Sequence, residues 1–192
     1  MIKSIGFKKV KTAVFISGRG SNLKSLIKFS KKKNSPISIN LIISNTNKSY
    51  GLKYSKIYKI EKKIINFKNS HDAENKILKI LIKNKITFIC LAGFMKILSK
   101  SFIQKFKGKI INIHPSLLPK YKGLDTHKRV IQNKERITGC SVHYVSPKMD
   151  SGKIILQTKV KIGKNDSVKS LSRKVLKKEH KLYPAAIKKV FN

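Results

Sequence analysis

Four short apolar runs, each followed by a polar or glycine-containing break and then by a segment of helical periodicity, constrain this chain more than any other feature. Residues 11–17 (KTAVFIS), 35–44 (SPISINLIIS), 87–91 (TFICL) and 110–114 (IINIH) have the length and continuous apolarity of strands covered on both faces. Between them, Leu23, Leu26, Ile27 and Phe29, and later Ile77, Leu78, Leu81 and Ile82, recur at the spacing of one helix face. Shorter helical segments are expected at 53–58, 101–106 and 127–133, and a short third strand at 64–67. Strands that alternate with helices form a parallel sheet with helices on both faces. Residues 137–145 and 153–160 alternate as an antiparallel pair joined by 146–152, and residues 167–190 read as a closing helix broken or kinked at Pro184. The fold class is therefore α/β: a Rossmann-like, mostly parallel sheet with a C-terminal antiparallel strand pair, expected as one domain over residues 1–192 behind a basic lead-in at 1–10.

Open parallel sheets bind ligands beyond the carboxyl ends of their strands, so the loops at that edge hold the chemistry. Asn112 and His114, two residues apart on one strand, share a face, and Pro115 then ends the regular backbone. An amide N–H donor beside an imidazole can polarise a carbonyl under attack; equally, both can satisfy backbone groups at a strand end. The GRGSN turn at 18–22 lies between strand and helix, where two glycines, a capping Ser21 or Asn22 and free helix N–H groups suit a phosphate. It is neither the dinucleotide G-x-G-x-x-G nor a Walker loop, and a plain tight turn gives the same sequence. Residues 92–98 (AGFMKIL) either pack as core or offer an irregular backbone and apolar side chains to a flat heterocycle. Asp150, one of only eight Asp and Glu residues, is either a turn former before Ser151-Gly152 or a proton partner for a histidine. His143, inside a strand, reads as structural.

Composition excludes several classes. No stretch is long and apolar enough to span a membrane, and the first residues lack a cleavable signal pattern, so a cytoplasmic protein is expected. Cys90 and Cys140 lack a C-x-x-C partner and read as buried thiols, leaving neither a metal site nor a disulfide framework. The net charge of +37 comes from 45 Lys and Arg spread along the whole length. Without a basic arm, an aromatic RNA motif or a zinc finger, a specific nucleic-acid partner is not expected.

Taken in order, GRGSN, LAGFMKILS, NIHPSLLPKYKG, DTH, SVHYV and the Asp150 loop resemble the phosphoribosylglycinamide formyltransferase family over about residues 11–184. The resemblance implies a formyltransferase fold and transfer of a formyl group from the co-substrate 10-formyltetrahydrofolate to the amine of 5'-phosphoribosylglycinamide, in purine biosynthesis and without a metal. It implies Asn112, His114 and Asp150 as the catalytic trio, with Asp150 raising the His114 pKa. It further implies Gly20, Ser21, Asn22 and Glu179 around the ribonucleotide phosphate and ribose. Met95, Lys96, Ile97, Leu98 and Asn112, with Ser146, Pro147, Lys148, Met149 and Asp150, would line the folate site. Three positions depart from the family pattern: Ser70 stands where an Arg is usual, Asp125 where a His is frequent, and Pro147 where an Asp is frequent. Two other expectations stay open, a related formyltransferase acting on methionyl-tRNA, for whose further β-domain the sequence leaves no room, and a basic RNA-binding protein on the same fold.

Overall fold

The computed structural model describes residues 8–192; the first seven residues of the expected lead-in lie outside the described residues. Apolar residues in the strands alternate between two cores. Val14, Ile16, Ile42, Phe88 and Ile111 face one side, while Ala13, Phe15, Ile43, Ile89 and Leu91 face the other. That period of two is why the runs read as continuously apolar: each face meets its own layer of helices. Each fully buried isoleucine or leucine contributes about 1.5–3 kcal/mol relative to exposure, so the sheet is the stable frame on which the loops are hung.

Among the described residues, seven strands form one sheet in the order β3-β2-β1-β4-β5-β6-β7. β1 (Val10–Ile16), β2 (Ile37–Ser44), β3 (Glu61–Ile64), β4 (Phe88–Leu91) and β5 (Lys109–His114) run parallel. β6 (Ile137–Tyr144) and β7 (Ile154–Lys161) add antiparallel to β5. Helices α1 (Ser21–Ser30), α5 (Thr126–Gln132) and α6 (Val168–Phe191) bury apolar residues in the first core, and α3 (Ser70–Lys83) and α4 (Lys100–Lys105) in the second. A 3-10 turn (Tyr50–Leu52) leads into α2 (Lys53–Tyr58).

Two expectations need correction. The third strand lies at Glu61–Ile64 rather than 64–67, and all four of its residues are exposed. It pairs only with β2, as an edge strand whose lysines face water, so it lacks the apolar pattern of the inner strands. The closing helix runs unbroken from Val168 to Phe191 with Pro184 inside it. Proline cannot donate to the His180 carbonyl, but the Ser25 hydroxyl on α1 does, at 2.9 Å, so the freed acceptor is satisfied. Tyr183 on the same helix is fully buried and donates its hydroxyl to the Leu91 carbonyl at 2.9 Å, with the Ile111 carbonyl at 3.2 Å. This pins α6 across the carboxyl ends of β4 and β5, where the sheet opens.

Candidate active site

β5 delivers Asn112 and His114 to that opening, and its antiparallel pairing with β6 decides what stands beside them. Asn112 is directly opposite His143, and His114 opposite Ser141. Directly opposed residues of an antiparallel pair project from the same face, so register alone brings His143 to Asn112. The Asn112 amide nitrogen donates to His143 Nε2 at 3.2 Å. His143 Nδ1 donates to the Tyr144 carbonyl at 2.8 Å, which fixes the tautomer with Nε2 as acceptor.

Asp150 reaches the pair from the β6–β7 connection. Its backbone is left-handed, with φ 46°, a conformation Asp adopts at less cost than most side chains. The Gly123 N–H donates to Asp150 Oδ2 at 2.9 Å, and the same oxygen lies 3.3 Å from His114 Nδ1. Asp150 Oδ1 lies 3.6 Å from His143 Nε2. His114 Nε2 donates to the Tyr121 carbonyl at 2.8 Å, so in the neutral ring it is Nδ1 that carries the lone pair facing Asp150. One carboxylate thus sits between two imidazoles whose outer N–H groups are both committed to backbone carbonyls.

Environment sets the protonation. Burial pushes the His114 imidazolium down; the Tyr121 carbonyl and the Asp150 charge pull the other way without cancelling it, so the net shift is downward. Asp150 therefore acts on His114 in the expected direction, and burial acts against it. For Asp150, burial pushes upward, yet His143, the Gly123 N–H and His114, the two imidazoles acting when they carry a second proton, outweigh it, and the carboxyl is held below its ordinary value.

A cleft of about 270 Å³ opens onto this cluster. It is lined by Met95, Lys96, Ile97 and Leu98 on one wall, by Val145, Ser146 and Met149 on the other, and by Asn112, His143 and Asp150 at its polar end. Pro147 and Lys148 do not line it, nor does His114, which is buried behind Asp150. The wall of residues 94–98 is anchored at both ends. Ser17 Oγ accepts from the Met95 N–H at 2.8 Å, and the buried Glu74 carboxylate accepts from the Ser99 N–H at 2.7 Å and the Ser99 hydroxyl at 2.5 Å.

The glycine turn lies at the end of β1. Gly20, φ 72°, precedes α1, whose first residues are Ser21 and Asn22. A Cβ on Gly20 would stand 2.5 Å from the Gly51 Cα, so this close crossing of two chain segments admits only glycine. The Asn22 amide nitrogen donates to Glu179 Oε2 at 2.7 Å, joining α1 to α6, while Asn22 Oδ1 is buried without a partner among the described residues. Glu179 is only 7% exposed, and its burial raises its pKa despite the Asn22 hydrogen bond. The departing positions stay out of the cleft: Ser70 opens α3, and Asp125, left-handed, precedes α5 without making a side-chain cap.

The formyl transferase family model matches residues 10–187. The chain belongs to that family. Phosphoribosylglycinamide formyltransferase of Haemophilus influenzae is 40% identical over 181 residues, covering 93% of this chain and 85% of that protein. The human trifunctional purine biosynthetic protein adenosine-3 is 42% identical over 186 residues, 95% of this chain but 18% of the human protein. The chain thus spans under a fifth of the length of that trifunctional relative. The crystal structure of phosphoribosylglycinamide formyltransferase from Brucella melitensis superposes with a TM-score of 0.90 at 37% identity, over 95% of this chain and 96% of that one. The mixed sheet with its antiparallel C-terminal strands is the fold of these formyltransferases.

Three residues outside the sequence-based site stand in this cluster. His143 reads as structural in the sequence, yet it touches Asn112 and lies 3.6 Å from Asp150. Gly123 supplies a backbone donor to Asp150, and Tyr121 a backbone acceptor to His114. Only His143 had a signal in the sequence, a histidine in a strand adjoining the Asp150 loop; the other two act through the main chain.

Proposed function

We propose that this chain transfers the formyl group of 10-formyltetrahydrofolate to the amine of 5'-phosphoribosylglycinamide, a step of purine biosynthesis, with residues 1–192 acting as one cytoplasmic domain on small molecules. The observation that supports it best is the junction of Asn112, His143, Asp150 and His114 at the polar end of an apolar cleft. The residues fit the folate: a flat heterocycle suits the wall of residues 95–98 and the Val145 and Met149 side chains, with polar groups confined to one end. The folate supplies the formyl carbon and the nitrogen that leaves.

The chain's own residues do the rest. Asn112 donates one amide N–H to His143, which keeps the second available for the formyl oxygen as negative charge builds on it. As the amine nitrogen bonds to the formyl carbon, it gives up a proton; Asp150, facing the cleft, accepts it and passes it to the lone pair on His114 Nδ1. The same path in reverse returns the proton to the departing nitrogen as its bond to the formyl carbon breaks, so protons balance. Gly20, Ser21 and Asn22 hold the ribonucleotide phosphate on the free N–H groups of α1, with Glu179 beside the ribose. The excess of lysine and arginine adds a positive field that favours capture of anionic substrates.

The test is formyl transfer by the purified chain, followed by absorbance of the deformylated folate, with 5'-phosphoribosylglycinamide and methionyl-tRNA offered separately. Turnover with the ribonucleotide alone is expected. Transfer only to methionyl-tRNA, or steeply salt-dependent RNA binding without any transfer, would replace this reading with one of the two other expectations.

A further inference from the structure

Glu74 lies on α3 between the core residues Ala73 and Ile77 and is only 4% exposed. No Lys, Arg or His stands within salt-bridge distance of its carboxylate among the described residues. An apolar side chain of similar size would fill this place without the cost of taking a carboxylate out of water, so stability does not account for the acid. Its hydrogen bonds do. Oε1 accepts from the Ser99 N–H at 2.7 Å and Oε2 from the Ser99 hydroxyl at 2.5 Å, while the same hydroxyl accepts from the Phe102 N–H at 3.0 Å. Capping α4 needs only the last of these contacts; the two to Glu74 fix the chain at residue 99 itself.

Ser99 follows directly on the cleft wall. At the other end of that wall the Gly93 carbonyl accepts from the Ser17 N–H at 3.1 Å, and the Met95 N–H reaches Ser17 Oγ at 2.8 Å. Between these pins residues 96–98 make no backbone–backbone hydrogen bond among the described residues. Phe94 packs edge-on against Phe15 and Phe67, and Leu98 is buried, whereas Met95 and Ile97 line the cleft at 61% and 68% exposure. Two large apolar side chains left open to water gain by collapsing inward, so a wall of this kind keeps its shape only while its ends are held.

We propose that Glu74 is a positioning residue for the folate: from α3 its carboxylate fixes Ser99 and so preforms the surface that Met95 and Ile97 present to the flat heterocycle. The proposal rests on the formyl-transfer reading above. Glu74 itself does not line the cleft, so its loss falls on the binding of one substrate and spares the chemical step.

The test compares the native full chain with Glu74→Gln and Ser99→Ala, in steady-state formyl transfer and in hydrogen exchange read by mass spectrometry. Gln keeps the shape but offers one acceptor atom where two donors point. Glu74→Gln should raise KM for 10-formyltetrahydrofolate about five- to tenfold, with kcat and KM for the ribonucleotide within about twofold of native. It should also speed exchange across 94–99 while β1, β4 and β5 stay protected. Ser99→Ala, which loses the hydroxyl but keeps the N–H, should raise the same KM about threefold, and combining the two should add little, because both act through one contact. If Glu74→Gln fails to fold, Ser99→Ala carries the same test. An unchanged KM for the folate in a variant whose wall exchanges faster overturns the proposal, as does an equal rise in both KM values. Variants that match an active native chain in every constant remove Glu74 from the account and leave the functional reading standing. A native chain that transfers no formyl group removes that reading and the proposal with it.

Discussion

Asp150 and Glu179 are both carboxylates withdrawn from water at the ligand edge of the sheet, and they titrate in opposite directions. Glu179, on α6, has burial acting against it and one donor, the Asn22 amide, so its carboxyl is raised. Asp150, on the β6–β7 connection, has the Gly123 N–H at 2.9 Å and two imidazoles within 3.6 Å that favour the anion when protonated, together enough to reverse the effect of burial. Desolvation alone does not set the charge of a buried acid; the count of donors and positive neighbours around it does. The same comparison separates their proposed tasks. Asp150 is an anion coupled to a base, suited to moving a proton, whereas Glu179 is a cross-helix hydrogen-bonding group suited to holding a substrate hydroxyl.

The largest way to break this comparison is to remove the base on one side only. His114→Ala should lower kcat by about 10²- to 10⁴-fold while the fold melts normally, because the loss falls on proton movement. Glu179→Gln keeps the hydrogen-bonding shape without the charge, so its kcat should stay near that of the native chain and KM for the ribonucleotide should rise by about tenfold. Steady-state kinetics of the two variants side by side check both statements; matching kcat losses would erase the distinction.

Stability against pH sharpens it further. A raised Glu179 pKa means that the native state binds the proton more tightly than the unfolded chain does. Its contribution to stability is therefore full below the ordinary glutamate value and is lost as pH rises through the raised one. Denaturant titrations should find Glu179→Gln more stable than the native chain at neutral pH, and should find that advantage gone in acid. An advantage that grew toward acid would reverse the sign and contradict the account. The smallest effect belongs to the surface: with a net charge of +37, the melting temperature should climb modestly with salt as lysine repulsion is screened, while the buried Asp150–His114 contact is little affected.

Much of this molecule is readable from its residues, and the exceptions share a cause. β1, β2, β4 and β5 are legible because strands covered on two faces must be apolar throughout. β3 is displaced from its expected position because an edge strand is free to be polar. Pro184 does not break α6, and the group that satisfies the His180 carbonyl, Ser25, is remote in sequence. His143 is overlooked because only the β5–β6 register places it opposite Asn112, and register is not written in either strand alone. Tyr121 and Gly123 contribute main-chain atoms, which no residue type announces. His114 and Asp150 stand 3.3 Å apart and Asn112 reaches them through His143, but the net direction of the His114 shift needed the depth of burial that only the fold supplies.

The central claim is that Asp150 accepts the proton of the attacking amine and passes it to His114, and the pH dependence of kcat for the native chain and Asp150→Asn tests it most directly. The native profile should rise through an apparent pKa below the ordinary histidine value and then level off near neutrality, because only the neutral ring accepts the proton. Asp150→Asn should lower the plateau by about 10²-fold or more and move the remaining limb to lower pH, since the carboxylate charge that lifts His114 is gone. A variant with a native plateau, or a native profile that falls as the histidine loses its proton, would contradict it.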